Sequence, residues 1–590
     1  VLCHANSESE RAANAAGERA PTTDAIRLMT PERIHAALTT GSMQVHAKDL
    51  SDIQKVRLAE FMSSRPMGSA GSGDAAKMAN RCSTNPAMED ARENVSLFTL
   101  RWTGWGNGPA NTRFQPAAGA RMTAADVPRL KLKWAFGYPN GVTSNAQPTI
   151  VSGRVFVGSD NGYLYSLDAK TGCVYWSFET GSIIRGAPLI LDWARSVPGG
   201  AVYDYRVFVG DGHANVYALD AQNGRLLWKT RVDPHFVARI TAGIAGNGFR
   251  LFVPVSSSEE FSSGNADYSC CTARGSVVAL SAVTGEQIWK AWVVPEEPKP
   301  YMTQPNGVVL YKPAGGAVWN TPTVDPARNA VYFGTGDATT APPAVTTDGI
   351  MAVDINTGRL LWSYQATEGD VFMGGCNSPN RSAACPNPMG PDMDIGNSPI
   401  LTTLPDGKRA VLIGTKSADV IALDPDANGK LLFRINAAGG PINATGRGAR
   451  GSIVWGGAAD AQHVYYGAGA AGLVAVRPTN GDVAWTFRAA PLAAGGRGAG
   501  HGAAPTVIPG VVFQGVADGR LFAVSAADGK PIWEFNTAQE FKTINNVPAK
   551  GGAISVSGAV VVDRMLYIGS GYAISSGASA GNVLLAFGLD

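Results

Sequence analysis

The chain has 590 residues, too many for one ordinary compact core, so several domains or one closed repeat architecture must share them. Hydrophobic residues at 45% exclude a disordered chain, while 71 glycines and only 16% charged residues point to many short buried strands with tight turns. A net charge of +2 leaves no footprint for nucleic acid, and no run approaches the ~18 apolar residues of a membrane span.

The opening VLCHANSESE lacks the basic and apolar regions of a secretory leader and reads as a processed start. Residues 1–66 read as helical. Thr30 before Pro31 and Glu32 predicts a capped helix start. Ser51 caps a second helix, whose apolar face is expected at Ile53, Val56, Leu58 and Phe61. A Gly/Ser/Ala stretch after Arg65-Pro66 predicts a flexible linker within 67–99. From about residue 100 to 590, short β-branched runs alternate with Gly, Asn and Asp turns.

Those runs repeat. A strand ending in Ala-Leu-Asp, a Gly turn and an aromatic strand recur with their aromatic residue at Trp176, Trp228, Trp289, Trp362, Phe433, Trp485 and Trp533. An eighth aromatic strand, LKLKWAF with Trp134, has no partner strands before it. Its complement lies at the other terminus, in VVVDRMLYIGSG and NVLLAFGLD. Joining the ends predicts an all-β, eight-bladed β-propeller whose closure leaves only short, protected edges.

The phrase resembles the tryptophan-docking repeat of quinoprotein alcohol dehydrogenases, which carry pyrroloquinoline quinone (PQQ) and a calcium ion in the funnel of such a propeller. The resemblance spans about 100–590. Propellers of related repeats also serve as non-catalytic scaffolds, so function must rest on the site. Trp319 resembles the tryptophan on which the quinone stacks, and Asp337, eighteen residues on, stands where the family has a metal-binding Asn. An aspartate keeps an oxygen ligand suited to Ca²⁺. Glu259 or Glu260 is the expected second metal ligand, with Glu259 preferred. Neighbouring Cys270 and Cys271 resemble the family's ring disulfide, which lies against PQQ opposite the tryptophan. The resemblance makes Asp394 the general base, with Asp392 and Asp370 as competitors, and Lys416 the partner of the quinone carbonyls. Arg185, Thr241 and Asn545 resemble further cofactor contacts. Cys376 and Cys385 enclose a loop short enough for a disulfide.

Haem c attachment needs C-x-x-C-H, and Val1-Leu2-Cys3-His4 reads as the end of that motif. Met43 resembles the distal axial ligand of small cytochromes c, with His46 its rival, and residues 1–66 are then a small all-α cytochrome c-like domain. The segments CCTARGSVVAL, GPDMDIGNSPIL and TINNVPAKGG bring the chain nearest to the polyvinyl alcohol dehydrogenases among quinohaemoproteins. That resemblance implies a periplasmic enzyme oxidising secondary, polymeric alcohols with PQQ, Ca²⁺ and haem c, and a soluble cytochrome c as acceptor. Small primary alcohols or sugars are the alternative substrates, and a non-catalytic scaffold the alternative class.

Overall fold

The repeated phrase is the joint between neighbouring sheets. In the computed structural model, Trp176 Nε1 donates to Ala221 O in the next sheet at 3.1 Å, Trp289 to Ile355 O at 3.2 Å and Trp485 to Ala526 O at 3.0 Å. Each indole lies under the turn glycine of the following repeat. A Cβ at Gly224, Gly358 or Gly529 would stand 2.6 Å from the ring below, and all three have positive φ, so the turn admits only glycine. One residue type thus serves the turn and the sheet contact together. The structure describes residue 4 and residues 23–41, 43–68, 72–88, 100–197, 200–377, 381–443, 451–492, 499–572 and 579–589.

Eight antiparallel sheets form the ring. Blade 1 runs from Thr149 to Glu179, blade 2 from Leu189 to Arg231 and blade 3 from Ala245 to Trp292. Blade 4 follows at Thr323–Gln365, blade 5 at Ile400–Asn436, blade 6 at Gly457–Phe487 and blade 7 at Thr506–Asn536. Blade 8 is built from both ends of the propeller. Strand Lys131–Gly137 pairs antiparallel with Val583–Gly588, from Lys131 opposite Gly588 to Gly137 opposite Val583. Burial is nearly complete along the inner strands, and the core is a series of apolar layers between adjacent blades.

Residues 102–115 close the base of the ring, a role their sequence did not suggest. Their backbone bonds to the innermost strands of successive blades: Trp102 to Ile150, Thr103 O to Ile190 N, Pro109 O to Val324 N and Ala110 O to Leu401 N. Arg113 is fully buried within this plug, donating to Pro505 O at 2.7 Å and lying 4.7 Å from the Trp105 ring.

Among the described residues before the propeller, the longer helices are α1 (Thr23–Leu28), α2 (Pro31–Thr39) and α3 (Asp52–Ser63). Thr30 caps α2 by accepting from Arg33 N at 3.1 Å, and Ser51 and Gln54 form a reciprocal capping box on α3. The apolar face expected for α3 is corrected in part: Leu58 packs on the helical core, but Ile53 and Phe61 are 68% and 81% exposed, and Ala59 with Ser63 face inward. Ile26, Ile34, Leu38, Ala47 and Ala59 make a core of their own. Arg33 Nη1 meets Asp160 Oδ2 of the propeller at 2.5 Å, and Lys48 meets Asp267 at 3.2 Å, so the helices sit over one mouth of the ring. The stretch read as a flexible linker is partly docked. Ala75 N donates to Ser177 Oγ at 2.7 Å, and Cys82 forms a disulfide with Cys173 of blade 1.

Candidate active site

Loops from every inter-blade junction converge beneath the helices on one cavity of about 2230 Å³. Trp319 lies on its floor. Asn320, the next residue, clamps to blade 4 by accepting from Gly334 N at 3.0 Å and donating to Gly334 O at 2.9 Å. Gly396 lies against the ring of Trp319, where any Cβ would collide with the indole. Trp319 is therefore held from behind by an atom that cannot be enlarged.

Asp394 sits beside that ring. Its Oδ2 accepts from Trp319 Nε1 at 2.8 Å, and its Oδ1 forms an ion pair with Lys416, which also pairs with Asp392. Lys416 Nζ stands 5.4 Å from the Trp319 ring centroid. Asp337 completes the group, with oxygens of Asp337, Asp392 and Asp394 all within 4.8 Å of one another. Its carboxyl is pushed well above the usual carboxylate range, first by burial and then by the negative charge of Asp394. Asp337 Oδ1 is buried and has no hydrogen-bond partner among the described residues. Such a set of convergent hard oxygens suits a calcium ion.

A polar aromatic wall faces this floor. Trp455 stands edge-on to Trp319, ring centroids 5.4 Å apart, and Tyr572 edge-on to Trp455 at 6.0 Å. Arg185 lies 5.0 Å from the Trp455 ring and donates to Tyr572 Oη at 3.0 Å. Arg239 donates to Ser258 Oγ at 2.8 Å, and burial, followed by the charge of Arg185, lowers its pKa to about 10. The Nε atoms of Arg185 and Arg239 are both buried without a hydrogen-bond partner among the described residues. Two guanidiniums with unspent donors beside flat rings fit a planar polycarboxylate. Thr241 lines the same wall, its Oγ1 3.0 Å from Ser256 Oγ. Trp455, Tyr572 and Arg239 escaped the sequence reading because no local motif marks them.

Several expectations are corrected. Glu259 is not at the cavity. Its carboxylate is fully buried and accepts from Thr272 N and Ala273 N at 2.8 Å each and from Tyr268 Oη at 2.9 Å. It is spent on folding the cysteine loop, and its neighbour Glu260 lines the cavity instead. The same fold draws Cys270 and Cys271 away. They form the adjacent disulfide, but it is fully buried against Met373, with Cys271 Sγ 3.6 Å from Met373 Sδ, and lines no part of the cavity. Asn545 is likewise displaced, since both its amide atoms bond to the Gly137 backbone of blade 8. Asp370 lies behind the floor, its Oδ2 accepting from Met393 N at 2.9 Å. Cys376 and Cys385 are disulfide-bonded as their spacing suggested. At the mouth, His4 and Met43 line the cavity, and so does His46; Cys3 lies outside the described residues.

Residues 102–379 match the family described as glucose/ethanol/alcohol dehydrogenase, beta-propeller domain, and residues 396–584 that of outer membrane protein assembly factor BamB. A polyvinylalcohol dehydrogenase from a Pseudomonas species is 37% identical over 97% of this chain and 91% of its own length. Another, from Sphingopyxis sp. strain 113P3, is 34% identical over 100% of this chain and 91% of its own. The solved quinohemoprotein alcohol dehydrogenase ADHIIG from Pseudomonas putida shares the fold, with a TM-score of 0.61 at 18% identity, over 88% of this chain and 83% of that one.

Proposed function

Because the chain belongs to the PQQ-dependent alcohol dehydrogenase family that includes the polyvinyl alcohol dehydrogenases, we propose that it oxidises the secondary hydroxyls of polyvinyl alcohol to ketones in the periplasm. The observation that carries this reading is the setting of Asp394, fixed on an aromatic floor between an indole N–H and an ammonium.

When bound, PQQ supplies a two-electron acceptor, with calcium as its Lewis acid and haem c as the outlet for single electrons to a soluble cytochrome c. Trp319 gives the quinone its floor, and Arg185, Arg239 and Lys416 offer cations to its oxygens. Asp337, Asp392 and Asp394, whose oxygens converge, are the proposed calcium ligands, with Glu260 further along the cavity wall. Cys3, His4 and Met43 are the proposed haem ligands, with His46 a rival to Met43. His4 and Met43 open onto the same cavity as the floor, as a direct electron route requires.

Asp394 acts as the base. A carboxylate can accept the hydroxyl proton of the alcohol, and Lys416 with Trp319 Nε1 fixes its direction. Asp392 shares Lys416 and is the nearest competitor for the role.

Turnover with an artificial dye tests the substrate class, using protein loaded with PQQ and Ca²⁺. Polyvinyl alcohol oligomers and 2,4-pentanediol are expected to be oxidised far faster than methanol or glucose. Preference for the primary alcohol or the sugar would replace the substrate proposed here.

A further inference from the structure

Behind the floor lies a second group of carboxylates. Asp348 precedes strand Gly349–Asp354 of blade 4, and Asp370 follows strand Leu360–Gln365 of the same blade. Both are buried, and one oxygen each from Asp337, Asp348 and Asp370 lie within 4.8 Å of one another.

Asp348 is the residue that demands a ligand. Neither of its buried oxygens accepts a well-formed hydrogen bond among the described residues, and the polar groups facing it are the Thr347 hydroxyl and the Asp337 carboxyl. The adjoining Thr347 hydroxyl donates to Ala344 O at 2.9 Å while lying beside Asp348. Asp370 Oδ1 and Asp337 Oδ1 are also buried and unpartnered, so each of the three carboxylates has an oxygen to offer. An unpaired carboxylate away from water is strongly disfavoured, and three converging ones add mutual repulsion.

Charge counting points the same way. The two groups together hold five carboxylates, Asp337, Asp348, Asp370, Asp392 and Asp394, and Lys416 is the ammonium paired with them. With all five ionised, four negative charges would remain, twice what one divalent cation neutralises.

We infer that Asp337, Asp348 and Asp370 hold a second hard divalent cation of the calcium class, with Asp337 shared between it and the proposed ion at Asp392 and Asp394. An all-oxygen donor set at this spacing matches Ca²⁺, whose ligands lie ~2.3–2.6 Å away. The second ion has a positioning role. Asp370 binds the backbone of Met393, the residue before Asp394, so fixing Asp370 also fixes the loop that carries the base. The inference rests on the proposed active site at the shared Asp337 and at the loop that carries Asp394.

Calcium counting tests it. The full chain is stripped with EGTA, re-equilibrated with Ca²⁺ alone and analysed by plasma mass spectrometry. Asp348→Asn is expected to lose one equivalent relative to the parent, and Asp394→Asn to lose a different one, so that the double variant loses two. Asp370→Asn should repeat the Asp348→Asn loss and serves if that variant does not fold. A loss in Asp348→Asn with none in Asp394→Asn supports the second site and removes the floor ion. An unchanged count in Asp348→Asn and Asp370→Asn overturns the inference and assigns the cluster to shared protons. A single equivalent abolished by both Asp348→Asn and Asp394→Asn also overturns it.

Discussion

Trp319 Nε1 donates to Asp394 Oδ2 at 2.8 Å, so the floor of the cavity and its proposed base are held as one unit. The indole supplies a flat face and a directed hydrogen bond from the same side chain. Asp394→Asn removes the proton acceptor, and with it a ligand of the proposed floor ion, while leaving the indole floor. Turnover should fall by roughly 10²–10⁴-fold with PQQ binding retained. Trp319→Phe keeps a ring and removes the N–H, a bond to a charged group worth about 1.5–3 kcal/mol, so kcat should drop by about tenfold or more. Steady-state rates beside PQQ titrations separate the two effects. Full turnover in Asp394→Asn would move the base to Asp392.

Gly396 supports the opposite side of that indole. Its missing Cβ is the space the ring occupies, and overpacking a buried contact costs about 1–3 kcal/mol. Gly396→Ala should therefore tilt Trp319 and weaken PQQ binding by about 10–100-fold, read from the quinone concentration needed for half-activation. Unchanged affinity would mean that the ring does not form the quinone floor.

Much of this arrangement was legible because it is local or periodic. The aromatic residue and the turn glycine recur in most repeats, with Phe433 replacing the tryptophan in blade 5, since each blade solves the same packing problem, and the two orphan ends had to pair. Trp319, Asp337, Asp394 and Lys416 lie close to blade strands whose phrases are recognisable, and the fold brings them together. Adjacent identities are harder. Glu259 and Glu260 differ by a rotation at the start of a short helical turn, which decides that one holds a loop and the other faces the cavity. The cysteine pair was misplaced because its chemistry is local while its position depends on that loop. Trp455, Tyr572 and Arg239 meet only through ring closure.

The helices should matter for the electron acceptor more than for alcohol oxidation. Arg33 and Asp160 join the helical unit to the propeller, and Asp160 also accepts from Val142 N at 3.0 Å and Thr143 N at 2.9 Å. Arg33→Glu sets like charges against each other at that joint. Reduction of cytochrome c is expected to fall several-fold, with dye-linked activity nearly unchanged. Equal losses with both acceptors would show that the joint supports the floor rather than the electron route.

Cys82–Cys173 closes a loop with a sequence separation of 91 and pins the segment preceding the propeller to blade 1. Closing so long a loop removes chain entropy from the unfolded state, about 4–5 kcal/mol in the simplest treatment. The paired substitution Cys82→Ser with Cys173→Ser should lower stability by that order, measured by denaturant unfolding under oxidising conditions. A loss below about 1 kcal/mol would mean the segment stays docked through its hydrogen bonds alone.

His501 predicts the acid limit of the fold. It is buried between blades, its Nε2 accepts from Ala489 N at 3.1 Å, and its ring meets Phe487 edge-on at 5.6 Å. Burial lowers its pKa from 6.5 to about 4, so the folded chain keeps the imidazole neutral where the unfolded chain already binds a proton. The sign follows directly: the stability from this group is complete above about pH 6.5 and is lost as the pH falls toward 4. A depression of this size is worth about 3 kcal/mol across the window. His501→Gln retains an acceptor for Ala489 N and cannot be protonated. Denaturant midpoints at pH 7, 5 and 4 should therefore fall less steeply in the variant than in the parent. Parallel pH dependences would place the acid sensitivity of the propeller elsewhere, in the buried carboxylates rather than in this histidine.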